Sequence, residues 1–484
     1  MLNLSLGKLK SQYLRKKNQI VYYSIETNGV KEIENLINNF LIEKNSFIFE
    51  SVEKGFIKGR YTIFGKNPDK IWEFNNNDCK LLYKNKSFKL NGTPKKNIEK
   101  IIEDFNFEIP AGLPPISSIL SGYFSYDIIR YIEKIRNSTK NDLDIPDSRI
   151  LRPREIVIHD NYDKKIYFIV NVFKDEKINN FKKKFSEINR QIEEMVFLCN
   201  YNASNPEQNI KKTTKIKSNI NKKKFIQNVK KAKKYIKIGD IFQVVLSQRF
   251  ECKLTKKPIE IYKKLRKTNP SPFMYFFNFN DFQIIGASPE ILVRLRNNKI
   301  TIRPIAGTRP RGKNKKQDQF YEKDLLKDKK ELSEHLMLLD LGRNDAGKVS
   351  KTNSVKVTES FKIEKYSHVM HIVSNVEGTF NKKFSKFDTL LSGFPAGTVS
   401  GAPKIRAMEI IDELENTRRK VYAGGIGYFS ANGDFDTCIA LRTALSKNNK
   451  FYVQSGAGIV ADSKPINEFN ETVNKAKALI KALE

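Results

Sequence analysis

The stretch FIQNVKKAKKYIKIGDIFQVVLSQRFE, Phe225–Glu251, sets the reading of the fold. Its first part, FIQNVKKAKKYIKIGD, has helical character and runs directly into IFQVVLSQRFE, whose β-branched and aromatic residues suit a strand. Before it, residues 1 to 200 alternate short strand-like runs (SFIFESVEKGF, RYTIFGK, KIYFIVNVF) with a few helical ones such as Ile98 to Asp104. After it, glycine and proline punctuation is denser and clusters in RPIAGTRPRG, GFPAGTVSGAP, YAGGIGYF and QSGAGIV. Strands and helices mix without a regular βαβ rhythm or an internal repeat, which predicts an α+β fold with antiparallel sheets.

At 484 residues the chain is too long for one compact core, so two large domains or one big interleaved fold are expected. The polar stretch at 201–224 reads as a linker between an N-terminal domain, 1–200, and a C-terminal one, 225–484. Apolar residues at 39% and aromatics at 11% are enough to build a core. No apolar run approaches the ~18 residues of a membrane span, and the first residues lack the pattern of a secretory signal. Cys79, Cys199, Cys252 and Cys438 lie far apart with no CxxC pair. That argues against a zinc site or a disulfide framework and fits a reducing, cytoplasmic setting. The net charge of +34 comes from lysines scattered through most segments. The densest run, Lys211 to Lys224, has no interleaved aromatics, so a nucleic-acid partner is not expected, nor a membrane one.

Several stretches carry chemistry. In KDKKELSEHLMLLDLGRND, Lys327 to Asp345, the spacing predicts a helix with Leu332, Leu336 and Leu339 toward the core. Glu331 and Glu334 are neighbours on its surface, and Glu468 and Glu471 repeat the arrangement at the start of the last helix. Two such helices can offer carboxylates to one hard cation such as Mg²⁺. The segment Gly393 to Pro403 predicts a bent loop with free amides. It leads into a helix with Pro403 in the first turn and a stripe of Ile405, Met408, Ile411 and Leu414. Gly456 and Gly458 in QSGAGIV allow close approach of the backbone to a carboxylate. Arg442, with the arginines of TIRPIAGTRPRG (Arg303, Arg309, Arg311), favours a small polyanionic ligand.

The segments PIAGTRPRG, ELSEHLMLLDLGRND, YSHVMHIVSNVEG, FPAGTVSGAPKIRAMEII, YAGGIGYF, DTCIALRTAL and GAGIVADSKP…NETVNKAKA together resemble the chorismate-utilising enzymes, in the branch of the anthranilate synthase large subunits. The resemblance covers Phe225 to Leu483, and more loosely the N-terminal half through FIFESVEKGFIKGRYTIFG and GYFSYD. It implies a large antiparallel β-sandwich flanked by helices, with an N-terminal regulatory domain packed on a C-terminal chorismate-binding domain. Relatives that use water carry a lysine where this chain has Gln243, and relatives that make aminodeoxychorismate carry a lysine where it has Ala306. Neither residue here supplies a base or a nucleophile, so the resemblance implies addition of ammonia at C2 of chorismate and formation of anthranilate by a lyase. The alternatives are an aminodeoxychorismate synthase large subunit or a silent tryptophan-binding protein.

By the same resemblance, Mg²⁺ is held by Glu334 and Glu471 with Glu331 and Glu468 behind them. Tyr422, Arg442, Lys475 and the amides of Gly456, Ala457 and Gly458 hold the enolpyruvyl carboxylate, while Gly307 and Thr308 line the ring site. Glu290 matches the general acid for the departing C4 hydroxyl and is expected to have a raised pKa. His371 matches the residue linked to loss of pyruvate. Feedback by L-tryptophan is implied at Glu50, Ser51, Pro272, Phe273, Met274 and Tyr428, where Phe273 replaces a tyrosine of the family motif. No glutaminase nucleophile motif is present, so the resemblance implies a separate glutamine amidotransferase subunit, in a heterodimer or heterotetramer.

Overall fold

The structure is a computed structural model and describes residues 2–53, 56–57, 59–76, 78–84, 86–202, 215–366 and 369–483. Among the described residues, 22 strands join one hydrogen-bonded network whose ladders run antiparallel. Its hub is the pair Tyr61–Asn75 and Ser148–Asp160. One arm leaves Ser148–Asp160 through Ile119–Phe124, Gly425–Ser430, Phe435–Ile439 and Ile291–Arg296. It ends at Lys299–Ile302 and Val369–Thr379, with Ile305–Pro310 and Lys356–Lys365 alongside. The other arm leaves Tyr61–Asn75 through Ser46–Glu50, Phe273–Asn278, Gln283–Ser288 and Thr443–Lys447. It ends at Lys450–Ile459 and Gln243–Lys253. The two halves of the chain are therefore joined by main-chain hydrogen bonds as well as by side-chain packing.

A shared core fills the space between the arms. Leu246, Ala457 and Ile459 from one arm and Leu292, Val293, Ile300 and Val376 from the other belong to one buried cluster, closed by Met408, Ile411 and Leu414. Burying each large side chain contributes about 1.5–3 kcal/mol, so the arm ends are held at a fixed separation. Of the 201–224 stretch, residues 203–214 lie outside the described residues. Its last part already belongs to the C-terminal half: Lys217–Ser218 pairs with Phe250 and Glu251, and the helix Lys222–Lys237 starts on an Asn221 cap, ahead of Phe225.

Two helical stripes differ from expectation. In Lys329–Gly347, Leu339 is buried but Leu336 is 49% exposed. The inward line runs through His335, Leu338, Gly342 and Asp345, because polar residues with partners take core places there. His335 Nε2 meets Ser374 Oγ at 2.6 Å, and Asp345 accepts from Lys404 Nζ at 2.7 Å. In Lys404–Leu414, Met408, Ile411 and Leu414 are buried while Ile405 is 50% exposed, and Pro403 is the cap rather than a first-turn residue.

Candidate active site

The ends of the two arms meet beneath the helices Lys329–Gly347 and Pro465–Ile480. In Ile305–Pro310 the ladder to Val369–Thr379 bulges between Ala306 and Thr308. The extra residue is Gly307, at φ +69°, a conformation that disfavours a Cβ, and an added methyl would also press on Ile372 at 3.1 Å. The bulge turns the Gly307 carbonyl toward His371 Nδ1 at 3.0 Å, with Thr308 Oγ1 3.1 Å from the same nitrogen. A carbonyl only accepts, so Nδ1 carries the proton and Nε2 keeps its lone pair. Burial and, more weakly, the charge of Arg442 hold the His371 pKa below the usual value. The ring of Tyr366 packs edge-on against the imidazole, with centroids 5.6 Å apart.

Glu290 sits where Gln283–Ser288 turns into Ile291–Arg296, and it is 6% exposed. Burial pushes its carboxyl up to about 8, against hydrogen bonds from Thr398 Oγ1 at 3.1 Å and the backbone of Ile305. The glycine-rich segment 393–403 thus has a positioning task, since its short turn Gly397–Val399 brings Thr398 to Glu290. Its amides are less available to an anion than expected. Val399 N–H donates to Ala396 and Ser400 N–H to Gly397, while Gly401 and Ala402 pair with Val244 and Gln243.

On the other arm, Gln243 Nε2 donates to Glu334 Oε1 at 3.3 Å, while its buried Oε1 has no partner among the described residues. A methyl at Gly458 would stand 2.7 Å from that Nε2, and one at Gly456 would stand 2.6 Å from the Tyr422 hydroxyl. The glycines therefore make room for these two side chains. Lys450–Ile459 pairs with Thr443–Lys447 only as far as Val453, so beyond it one strand edge is open. Residues along a strand alternate the edge to which they turn their N–H and C=O. Lys475 Nζ donates to the Gly456 carbonyl at 3.1 Å, which puts Gly456 and Gly458 on the open edge and Ala457 on the edge facing Leu246.

Four carboxylates gather at the helix ends. Burial raises the Glu334 pKa, with the like charges of Glu331 and Glu471 adding to it. Burial and Glu471 do the same to Glu468. Lys475 pairs with Glu471 at 2.6 Å. Among the described residues no three His, Cys, Asp or Glu side chains close into a ligand cluster. The donor set still fits Mg²⁺, which keeps several waters and asks for only one or two carboxylates plus an anionic substrate.

The arginines of the 301–312 stretch are each held in an ion pair, and Arg303 also lines a cavity. Arg303 is paired with Glu364, Arg309 with Asp324 and Asp328, and Arg311 with Asp318. Asp328 caps the helix Lys329–Gly347, so Arg309 fixes the start of the element that carries Glu331 and Glu334. Arg442 is different. Its guanidinium is accessible yet crowded by protein, which lowers its pKa, and among the described residues no carboxylate pairs with it.

A separate cavity of about 910 Å³ lies between the arms on the N-terminal side. Glu50, Ser51, Pro272, Phe273, Met274 and Tyr428 all line it. Glu50 Oε1 accepts from Tyr262 at 2.5 Å and from Arg266 Nε at 2.8 Å, while its buried Oε2 has no partner among the described residues. Two residues beside the site went unremarked in the sequence, Thr398 and Tyr366. The only signals were a hydroxyl set among glycines in AGTVSG and the position of Tyr366 just ahead of HVMH.

The family of chorismate binding enzymes matches residues 44–481. Anthranilate synthase component 1 of Cereibacter sphaeroides is 45% identical over 477 residues, covering 97% of this chain and 95% of the relative. The protein of that name from Acetivibrio thermocellus is 45% identical over 443 residues, or 90% of each chain. The crystal structure of anthranilate synthase component I from Streptococcus pneumoniae superposes with a TM-score of 0.79 at 38% identity, over 88% of this chain and 93% of that one. The menaquinone-specific isochorismate synthase of Escherichia coli shares the fold, with a TM-score of 0.72 at 18% identity over 99% of both chains. The chain belongs to the chorismate binding enzyme family, among the anthranilate synthase component 1 proteins.

Proposed function

We propose that this chain is the large subunit of an anthranilate synthase, converting chorismate and ammonia to anthranilate and pyruvate. The observation that carries the reading is what the strand bulge lacks. Ala306 presents a methyl group where an attacking side chain would stand, and Gln243 offers no base, so the nucleophile must be ammonia itself.

Chorismate is a dianion. Arg442, unpaired and crowded by protein, offers two parallel donors to the enolpyruvyl carboxylate. The Tyr422 hydroxyl and the open-edge amides of Gly456 and Gly458 flank the same region. Glu334 and Glu471 would hold Mg²⁺, backed by Glu331 and Glu468. When bound, the ion neutralises the ring carboxylate and the charge that builds on the ring. Ammonia forms its bond at C2 as the C4 hydroxyl leaves, and Glu290, still protonated near neutral pH, gives the proton that makes the leaving group water. In the second step the ring loses the C2 proton and pyruvate. The free Nε2 of His371 is the acceptor suited to that proton.

Ammonia is supplied by a separate glutamine amidotransferase subunit. All four cysteines are buried, and burial pushes the Cys199, Cys252 and Cys438 thiols upward. None can act as a glutaminase nucleophile. The 910 Å³ cavity takes L-tryptophan as inhibitor, its ammonium group satisfying the unpartnered oxygen of Glu50. Residues 1–200 supply part of that cavity and so act in regulation. No helix among the described residues is long and apolar enough to cross a membrane, and we place the enzyme in the cytoplasm.

The test is product identity by fluorescence and mass spectrometry, from the purified chain with chorismate, Mg²⁺ and an ammonium salt. Anthranilate plus pyruvate is expected. Aminodeoxychorismate without pyruvate would move the chain to the folate branch, and isochorismate would overturn the role given to Gln243.

A further inference from the structure

We propose that Tyr366 is a positioning residue for His371, and that the chain Arg303–Glu364–Tyr366 couples occupancy of the 910 Å³ cavity to that imidazole. The inference deepens the reading above and rests on it, since it takes tryptophan as the cavity's ligand. Arg303, Glu364 and Tyr366 all line the cavity, as does Glu50. Arg303 donates to Glu364 Oε1, and the Tyr366 hydroxyl donates to Glu364 Oε2 at 2.8 Å. The other end of Tyr366 reaches the reaction site, where its ring meets His371 edge-on at 5.6 Å. Glu364 also faces His371 directly across the ladder from Lys356–Lys365 to Val369–Thr379.

The backbone of Tyr366 is pinned. Its carbonyl accepts from Arg311 Nη1 at 2.6 Å, and its N–H donates to Val369 O at 2.8 Å. With the backbone fixed, the freedom left to Tyr366 is largely that of its side chain, and the Glu364 carboxylate sets it. A ligand carboxylate or ammonium in the cavity that competes for Arg303 or Glu364 would release the hydroxyl and let the ring move against His371. Because interfaces of packed side chains switch between discrete arrangements, a small shift at the cavity wall can change the aim of Nε2.

The experiment measures tryptophan affinity by calorimetry on the full chain, with and without chorismate, in the absence of ammonia. Binding coupling is reciprocal, so the ratio of the two dissociation constants reads it directly. In the wild type the ratio should be about tenfold or more. In Tyr366→Phe, which keeps the ring and removes the hydroxyl, it should fall toward one, and Glu364→Ala should give the same collapse from the other side of the contact. Tyr366→Leu should lower kcat about tenfold and, without tryptophan, weaken chorismate binding toward the affinity the wild type shows with tryptophan bound, a change in affinity that loss of folded protein would not give. A wild-type ratio of one, or variants that keep the wild-type ratio, would overturn the coupling. A wild type that binds no tryptophan would instead overturn the assignment of the cavity's ligand, and the coupling with it. Unchanged kcat in Tyr366→Leu would overturn the positioning role.

Discussion

His371 Nδ1 lies 3.0 Å from the carbonyl oxygen of Gly307. That contact exists because the Ala306–Thr308 bulge turns the peptide inward, and it fixes the tautomer that leaves Nε2 free. Replacing His371 with Met removes the acceptor and keeps the bulk. Anthranilate formation should fall on the order of 100-fold while amination continues. Mass spectrometry of a single-turnover mixture should then find an aminated, pyruvate-bearing intermediate, and its absence would count against the role.

Glu290 links activity to pH. Its folded pKa of about 8 lies above the ordinary 4.5 because of burial. The acid form is the working form, so ammonia-dependent kcat, at a fixed concentration of free ammonia, should decline as pH rises through about 8. The same shift has a stability consequence. The group's contribution is complete below its unfolded value near 4.5 and is lost progressively as pH rises toward 8. Glu290→Gln should reduce activity by about 100-fold or more and weaken the fall in melting temperature between those pH values. An unchanged slope in the variant would sink the assignment.

Glu334 faces the like charges of Glu331 and Glu471, while Glu471 is itself paired with Lys475. Glu334→Gln and Glu471→Gln should each weaken Mg²⁺ binding about 10- to 100-fold by calorimetry and abolish turnover. For Glu334→Gln the melting temperature without metal should hold or rise, because a charge disfavoured by burial has been removed. Near-normal turnover in either variant would refute the metal site.

Gly458 has a steric reason to be glycine. The methyl of Gly458→Ala would stand 2.7 Å from Gln243 Nε2, and Gln243 is buried, so the amide must leave Glu334. A loss of about 1–3 kcal/mol in stability is expected from overpacking, together with at least about tenfold in kcat as the Glu334 carboxylate loses its donor. Denaturant unfolding and steady-state kinetics on one preparation would check both.

Much of the site is legible along the chain. The acidic pairs, the glycines of GAGIV and the Glu290 and His371 motifs are short and local, and the elements that carry them form where helical or alternating patterns predict. The ion pairs of Arg309 and Arg311 were not legible because a guanidinium looks the same in sequence whether it meets a substrate or a neighbouring aspartate. Arg309 and Asp328 are 19 residues apart, and nothing in their spacing announces the contact. The stripe through Leu336 failed because partnered polar residues, His335 and Asp345, displaced apolar ones from the inward face.

The sequence by itself determined the antiparallel α+β character, the family motifs and the residue types at Gln243 and Ala306. All of these rest on local periodicity or on the chemistry a side chain has anywhere. Tertiary structure alone decided which charges stay uncompensated. Among the described residues, Glu50 meets Arg266 across 216 residues and still keeps one bare oxygen, Arg442 ends without a carboxylate, and Glu290 is buried deeply enough to hold its proton. Burial and charge pairing depend on where distant strands of the two arms cross, and the spacing of residues along the chain carries no record of that.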